Sequence, residues 1–222
     1  MNNKSKKALI AAGVVFLILL IDQLSKIWVK TNMHIGQSIP VFGDWFLIHF
    51  VENPGMSWGI NPGNKLLLTL FRIVFTCFLI SIIVKFIKQN YKTGFIICFS
   101  LILAGAIGNV IDNIFYGVIF EESTRSHVAS FVPWGQGYAS LFRGDVVDML
   151  FFPIIRTTYP DWFPWVGGND FVFFRFVFNI ADSAIVIGTF SLWIFYRNTF
   201  LYAFSYLFQS KKEREELENQ NT

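Results

Sequence analysis

Long apolar runs, separated by short polar segments, dominate the pattern of this sequence. Four of them cover residues 8–29, 66–87, 94–115 and 171–195. A helix of roughly 20 mostly apolar residues is needed to cross a hydrocarbon core about 30 Å thick. The pattern therefore predicts four transmembrane helices. A further apolar stretch, 200–208, is too short to cross and predicts an interfacial segment rich in aromatic side chains.

Composition also indicates a membrane protein. Hydrophobic residues make up 54% of the chain, the mean hydropathy is +0.49, and 27 Phe stand against 18 basic and 15 acidic residues. These values exclude a disordered or nucleic-acid-binding protein, and a formal charge of +3 is too small to indicate a polyanionic partner. Cys77 and Cys98 lie inside apolar runs and indicate neither a metal site nor a disulfide. We expect no metal, no other cofactor and no nucleic-acid partner.

The positions of lysine and arginine predict the orientation. Ten of them lie in residues 1–7, 85–92 and 197–222, whereas the long connections, 30–65 and 116–170, hold only five. Because cytoplasmic loops carry the excess of basic residues, we expect both termini in the cytoplasm and both long connections outside.

The start of the chain allows a second interpretation, a cleavable signal peptide, because lysines precede the first apolar run. Asp22, Gln23 and Lys26 stand where a cleavage site of small residues would be, which favours a retained helix. No repeat or second soluble domain is visible. We expect one membrane domain over residues 1–210 and a charged cytoplasmic tail over 211–222.

The two outer connections differ in character. Residues 39–51 are rich in β-branched and aromatic residues around a Gly-Asp turn signal, which predicts a small pair of strands. Residues 119–170 are aromatic, are interrupted by prolines, and predict an ordered loop on the outer membrane surface. The predicted fold is an all-α membrane protein with four transmembrane helices, a small extracytoplasmic β element between helices one and two, and an extended outer loop between helices three and four.

Polar residues interrupt three of the four spans at a common depth. An ionisable group inside a span costs several kcal/mol, so each such group is a candidate functional residue. The predicted orientation places all of them in the outer half, with Asn179 and Asp182 two to three turns inside the fourth span. The Asn–Asp pairs are three residues apart and share a helix face. The residues are Asp22, Lys26, Asn109, Asp112, Asn179 and Asp182.

Some of these charges also have purely structural interpretations. Asp22 and Lys26, four residues apart, are spaced for an intrahelical ion pair that anchors the helix end. Arg72 and Arg175 lie near the outer ends of their spans, where snorkelling to the interface is favoured over a role in the site.

The sequence lacks the common motifs of metal and nucleophile chemistry. The three histidines have no metal-ligand spacing, and no serine-nucleophile elbow or phosphate loop is present. The outer carboxylates leave acid–base catalysis, proton relay or ion binding. A proton- or cation-coupled transporter is one candidate, but the inner halves of the spans are nearly all apolar and no inverted repeat is visible. A scaffold without enzymatic activity would not explain carboxylates at one depth in three helices.

Five motifs, in this order, resemble those of the lipoprotein signal peptidase family, signal peptidase II. The similarity covers about residues 8–197. The motifs are Asp22-Gln23-Leu24-Ser25-Lys26, Glu52-Asn53-Pro54-Gly55-Met56-Ser57-Trp58, Gly105-Ala106-Ile107-Gly108-Asn109-Val110-Ile111-Asp112-Asn113, Val146-Val147-Asp148 and Phe178-Asn179-Ile180-Ala181-Asp182-Ser183-Ala184.

The resemblance implies an intramembrane aspartyl protease of the bacterial inner membrane. Its substrates would be diacylglyceryl-modified prolipoproteins, cut before the lipidated cysteine, with membrane lipid as a further partner. It implies that Asp148 and Asp182 are catalytic, a choice over Asp145 that spacing alone does not make. The same motifs imply supporting or substrate-contacting positions at Asp22, Lys26, Asn53, Gly55, Gly108, Asn109, Asp112, Asn179 and Ala181.

The chain departs from the family pattern in two ways. Asn113 stands where the family usually has arginine, so that contact is either absent or supplied by another residue, for which Arg143 and Arg175 are candidates. The outer loop is also longer than usual, with extra aromatic segments at about 119–143 and 150–170. These segments cap the site, contact lipid or are a tolerated surface elaboration.

Overall fold

The computed structural model describes residues 2–55 and 64–208. Positions 56–58, the end of one motif, and the predicted tail 211–222 lie outside the described residues. The helices are α1 (Asn3–Asn32), α2 (Lys65–Lys88), α3 (Thr93–Ile111), α4 (Gly117–Ile119), α5 (Ile180–Phe195) and α6 (Arg197–Phe208), with a π-helical turn, Asp112–Tyr116, joining α3 to α4.

Within residues 2–55 and 64–208, three helical segments are long and apolar enough to cross a membrane: α1, α2 and the continuous segment Thr93–Ile119. The pair α5 and α6 qualifies as a fourth if it is counted as one span, although the two helices are bent by 95° relative to each other. The protein is therefore mostly helical, with three or four candidate membrane helices.

The predicted start of the fourth span is wrong. Residues 171–178 fall in strands and a turn, α5 begins at Ile180, and Arg175 lies between two strands and is exposed. The cause is the ambiguity of a short apolar run rich in Val and Phe, which suits a strand as well as a helix. The helix begins where the Asn179 side chain accepts a hydrogen bond from the backbone N–H of Asp182.

The connections predicted to lie outside the membrane form more β structure than the predicted strand pair. The pair itself is confirmed as β1 (Ser38–Phe42) and β2 (Phe46–Asn53). The long outer loop adds β3 (Val146–Phe151) and β6 (Val177–Phe178), giving an antiparallel sheet in the order β1-β2-β3-β6. A separate hairpin consists of β4 (Ile155–Thr158) and β5 (Asp170–Phe173).

The helices pack around α3, through small residues at its contacts. A Cβ atom added at Gly105 would collide with the backbone carbonyl of Ala181, and one at Gly188 would lie 2.7 Å from the carbonyl oxygen of Cys98. α5 therefore approaches α3 at backbone distance, as small residues allow in membrane helix pairs. This contact sets the start of α5 beside the outer end of α3.

Two apolar clusters support the site from opposite sides. The inner cluster is aromatic and aliphatic, and it includes Phe86, Phe95 and Phe99. The outer cluster includes Val147 and Met149 of β3 and joins the sheet to the ends of α1 and α3. Because side chains alternate along a strand, burying residues 147 and 149 in this cluster turns Asp148 to the other face, toward the helices.

Candidate active site

Lys26 lies at the centre of a fully buried polar network. Its ammonium nitrogen is 2.9 Å from Asp22 Oδ2, 2.8 Å from Asp112 Oδ2 and 3.0 Å from Asn109 Oδ1, and the Lys26, Asp22 and Asp112 side chains have no exposed surface. The predicted Asp22–Lys26 pair is therefore present, but it is one edge of a larger network linking α1 to the outer end of α3. One cation shared by two carboxylates offsets much of their desolvation cost.

Neutral donors complete the hydrogen bonding of these two carboxylates. Gln23 Nε2 donates to Asp22 Oδ2 and Asp112 Oδ1, at 3.1 and 3.0 Å. The backbone N–H of Ala181 donates to Asp22 Oδ1, and that of Val147 donates to Asp112 Oδ2. All four carboxylate oxygens are thus occupied, and two of their donors come from the residues immediately before Asp182 and Asp148.

Asp182 and Asn179 form a capping box at the start of α5. The Asp182 backbone N–H donates to Asn179 Oδ1 at 2.8 Å, and the Asn179 backbone N–H donates to Asp182 Oδ2 at 3.2 Å. The prediction that the two lie stacked on one helix face, deep in a span, is wrong because Asn179 is the N-cap itself. The box fixes the Asp182 carboxylate at the outer end of α5.

Asparagine amides donate hydrogen bonds to the carboxylates of Asp148 and Asp182. Asn53 Nδ2 donates to Asp148 Oδ2 at 3.1 Å, and Asn179 Nδ2 donates to Asp148 Oδ1 at 2.7 Å. Asn109 Nδ2 donates to Asp182 Oδ1 at 2.8 Å. Asn179 thus contacts Asp148 through its amide and Asp182 through its backbone, so the two aspartates lie at a common point of α5, α3, β2 and β3.

The Asp148 side chain is an unusually weak acid for an aspartate. Burial raises its pKa to about 7, the nearby charge of Asp182 adds to the rise, and the hydrogen bonds from Asn53 and Asn179 and the charge of Lys26 partly oppose it. Only 3% of Asp148 is exposed, whereas Asp182 is half-buried. A carboxyl group with this pKa can hold or release a proton near neutral pH.

Three small residues of the motifs shape the site rather than supply chemical groups. Gly55 has φ +95°, and its backbone N–H donates to Asn53 Oδ1 at 3.0 Å, which orients the Asn53 amide toward Asp148. A Cβ atom at Gly108 would lie 2.7 Å from Asp22 Oδ2. Ala181 is fully buried, and its backbone N–H binds Asp22.

Arg72 is the group that the sequence interpretation missed. Arg143 and Arg175, the predicted replacements for the arginine that Asn113 displaces, are both exposed. Arg72 in α2 instead donates to Asn113 Oδ1 at 2.6 Å and interacts electrostatically with Asp182, Asp148 and Asp112. Its charge inside an apolar span was the available signal, but snorkelling explained that signal equally well.

The described residues contain no group of three or more His, Cys, Asp and Glu side chains arranged to hold a metal ion. Asp145 lies apart from the cluster, with its carboxylate 2.5 Å from the Lys65 ammonium nitrogen. The site can therefore supply two carboxylates and several neutral amides, which suits proton transfer to and from a substrate and water.

Comparison with known proteins agrees with this chemistry. The family profile described as Signal peptidase (SPase) II matches residues 14–197. The chain belongs to the signal peptidase II family. It is 51% identical over 191 residues to the lipoprotein signal peptidase of Porphyromonas gingivalis, covering 86% of this chain and 84% of that protein. The lipoprotein signal peptidase of Amoebophilus asiaticus is 39% identical over 182 residues, covering 79% and 72%.

Solved structures share the fold of this signal peptidase. Two, each titled as a bacterial membrane enzyme structure determined by the in meso method, superpose with TM-scores of 0.53 and identities of 24% and 26%. They cover 82% and 83% of this chain, and 83% and 90% of their own. The family resemblance and the aspartic-type protease that it implied are confirmed, and the transporter alternative is not supported.

Proposed function

We propose that this enzyme removes signal peptides from diacylglyceryl-modified bacterial prolipoproteins by cutting the peptide bond before the lipidated cysteine. Asp148 and Asp182 are its catalytic pair. The observation that carries this assignment is the Asn179 bridge, because it brings the carboxylates of β3 and α5 together with no cation hydrogen-bonded to either one among the described residues. The relatives named lipoprotein signal peptidase support the substrate class.

The reaction needs no covalent intermediate. Two carboxylates in a low dielectric share one proton, since both cannot easily ionise. The ionised member takes a proton from water, whose oxygen attacks the peptide carbonyl, while the protonated member gives its proton to the carbonyl oxygen. As the resulting tetrahedral diol collapses and its carbon–nitrogen bond breaks, the first carboxyl group gives its proton to the leaving amine and a diol hydroxyl returns a proton to the second carboxylate. The pKa of Asp148, about 7, suits it to hold the shared proton. The asparagine amides orient the carboxylates and leave lone pairs on both free for water and substrate.

The remaining motif residues support this pair. Asp22, Lys26 and Asp112 fasten α1 to α3 and bind the backbone beside each catalytic residue. Asn53, Asn109 and Asn179 position the carboxylates, and Gly55 orients the Asn53 amide. Gly108 and Ala181 permit the close approach of the helices, and Arg72 adds positive potential from α2.

The proposed placement is the bacterial inner membrane, with four spans, both termini in the cytoplasm and the catalytic pair toward the outer surface. The distribution of lysine and arginine supports this orientation. We count α5 as the fourth span: its 16 residues extend about 24 Å, and the right-angled α6, rich in Phe and Tyr, then lies along the inner interface. Residues 1–210 form the protease domain, and 211–222 form a charged cytoplasmic tail.

The test is cleavage of a diacylglyceryl-modified prolipoprotein by purified Asp148→Asn and Asp182→Asn variants. Each variant should lose at least about 10²-fold in rate, because each removes one partner of the acid–base pair. Asp145→Asn, three residues earlier and paired with Lys65, is the matched control and should cleave normally. Near-normal rates in either catalytic variant, or an equal loss in the control, would overturn the assignment.

A further inference from the structure

We propose that the tip of the β4–β5 hairpin, residues 159–169, is a membrane anchor that inserts into the outer lipid interface beside the catalytic pair. This inference goes beyond the cleavage reaction, and its position on the outer side rests on the proposed orientation. The occupant of this surface is the boundary between lipid headgroups and acyl chains.

The tip exposes large aromatic side chains to an unusual degree. Trp165 is 98% exposed and Trp162 is 78% exposed, while Phe163 is also exposed. The apolar surface continues along the hairpin, where Ile155 and Phe173 are exposed. So many exposed large apolar side chains on one hairpin indicate an interaction site rather than a surface in contact with water alone.

The tip is built in one defined conformation. Backbone hydrogen bonds connect Tyr159 with Asn169 and with Gly168, and the Tyr159 ring packs against Phe163 and Phe171. Trp165 adopts φ +64°, a left-handed conformation that is uncommon for a bulky residue. That conformation accompanies an almost fully exposed side chain, so no internal packing offsets its cost. A partner outside the chain would do so.

The exposed strand of the hairpin would gain stability from a covering partner. All four residues of β4 are exposed, and an isolated two-stranded hairpin is marginally stable in water. Burying its apolar side chains in lipid would provide the missing stabilisation.

The chemistry of the hairpin favours lipid over another protein. Between Phe152 and Phe176 there are two basic and two acidic residues, so the segment carries no net charge to attract a charged partner. Tryptophan is enriched at membrane interfaces, where an apolar ring and a polar N–H are both accommodated.

The way the hairpin is attached to β3 and α5 places it at the depth of the outer lipid interface. β3, which carries Asp148, leads into it, and the chain leaves through β6 directly into α5 at Ile180. Rings continue along this exit, with Phe174 packed against Phe176 and Phe178. The base of the hairpin is therefore held at the outer end of a proposed membrane span, where lipid is already in contact with the protein.

The experiment is site-specific fluorescence in liposomes of neutral phospholipid. Trp165→Cys is made in a Cys77→Ala background, with the buried Cys98 retained, and is labelled with a polarity-sensitive fluorophore. Glu122→Cys, at an exposed position of the other outer segment, is the matched control. Fluorescence from the label at position 165 should shift to shorter wavelength and be quenched by lipids with a spin label near the headgroup. Aqueous iodide should quench the label at position 122 but not the label at position 165.

Three outcomes would overturn the anchor. Equal iodide quenching at positions 165 and 122 would place the tip in water. Protection from iodide without lipid quenching, lost when the protein is diluted in lipid, would identify a second copy of the chain as the partner. Stronger quenching by labels deep in the acyl chains would contradict an interfacial position.

A second measurement separates the anchor from catalysis. Trp162→Ser/Trp165→Ser should raise KM for a substrate embedded in liposomes, with kcat unchanged, and should leave cleavage in detergent at the wild-type rate. Adding Asp148→Asn to the labelled variant should abolish cleavage without changing lipid quenching. Lipid quenching therefore tests the anchor independently of cleavage, and cleavage by the Asp148→Asn variant tests the catalytic assignment independently of lipid quenching. A rise in KM of equal size in detergent would contradict the anchoring role.

Discussion

Two pairs of aspartates lie where α1, the end of α3, the start of α5 and strand β3 meet, and they differ in what surrounds them. The carboxylates of Asp22 and Asp112 share the Lys26 ammonium, and further donors occupy every one of their oxygens. Among the described residues, the carboxylates of Asp148 and Asp182 receive hydrogen bonds only from neutral groups, one on each oxygen.

This difference agrees with the proposed division into a structural pair, Asp22 and Asp112, and a catalytic pair, Asp148 and Asp182. In the first pair, three donors that include the Lys26 ammonium bind each carboxylate. In the second pair, two neutral donors bind each carboxylate and leave more lone pairs free for water or substrate. A carboxylate held by single amide donors keeps its geometry and can still exchange a proton with water. Because all four residues are aspartates, we infer that the hydrogen-bond donors around each carboxylate, and not the residue type, distinguish the two proposed roles.

The largest effect on stability is expected from removing the shared cation. Lys26→Met leaves two buried carboxylates without a counter-charge and should lower the free energy of unfolding by about 3–5 kcal/mol, measured as a loss of thermal stability in detergent. Lys65→Met is the control, because its half-exposed ion pair with Asp145 is worth at most about 1 kcal/mol. Similar losses in the two variants would remove the contrast between buried and surface pairs.

At Asp148, removing the ionisable group should raise stability at neutral pH, in contrast to the loss expected for Lys26→Met. The Asp148 pKa is raised from 3.8 to about 7 in the folded protein, so between these pH values the folded state binds a proton that the unfolded state has released. Stability contributed by this group is therefore present at low pH and is lost as pH rises toward 7.

Asp148→Asn should accordingly gain on the wild type as pH rises, by up to about 4 kcal/mol between pH 4 and pH 8. Thermal unfolding at several pH values checks this expectation, with Asp145→Asn as the control. A constant difference between variant and wild type across this range would show that Asp148 is already ionised at low pH.

A smaller effect on stability should come from the cap of α5. Asn179→Ala removes an N-cap worth about 1 kcal/mol and also removes the amide bound to Asp148. Asn64→Ala removes the equivalent cap of α2 without touching the site. Thermal unfolding should show similar losses, whereas cleavage assays should show a large loss of kcat only for Asn179→Ala. An equal loss of kcat in Asn179→Ala and Asn64→Ala would show that Asn179 acts only as a helix cap.

The smallest effect is expected from Arg72, a positioning residue that acts on the pair only through its electric field. Arg72→Gln should shift the pH–rate profile to higher pH by less than about one pH unit. The reason is that removing a positive charge makes a nearby carboxyl group harder to ionise. Arg72→Lys retains the charge and should restore the wild-type profile while losing the planar contact with Asn113. A lower rate with no shift in either variant would assign Arg72 to packing alone.

Much of the site was predictable because the residues themselves are informative. Asp22, Lys26, Asn109 and Asp112 are polar groups in apolar spans, which alone predicted that they are functional or paired. The choice of Asp148 over Asp145 came from a family motif. The structure supplies the physical basis for that choice: Asp145 pairs with Lys65, whereas Asp148 is held by two asparagine amides.

Arg72 and the start of α5 could not be predicted, because both depend on contacts between segments far apart in the chain. Arg72 and Asn113 are 41 residues apart, and no local pattern links them. The run before Ile180 is apolar enough to continue the helix, but Leu150 and Phe151 of β3 pair with Phe178 and Val177 and make it a strand.

The sequence by itself determined the membrane class, the approximate positions of the apolar helices and the family, since each depends on composition or on residues close together in the chain. Only the tertiary structure decided which carboxylates share a cation and which are left to neutral amides. The reason is physical: the state of a buried carboxyl group depends on the donors that surround it, and here those donors come from α1, α3, α5 and the sheet, brought together only by folding.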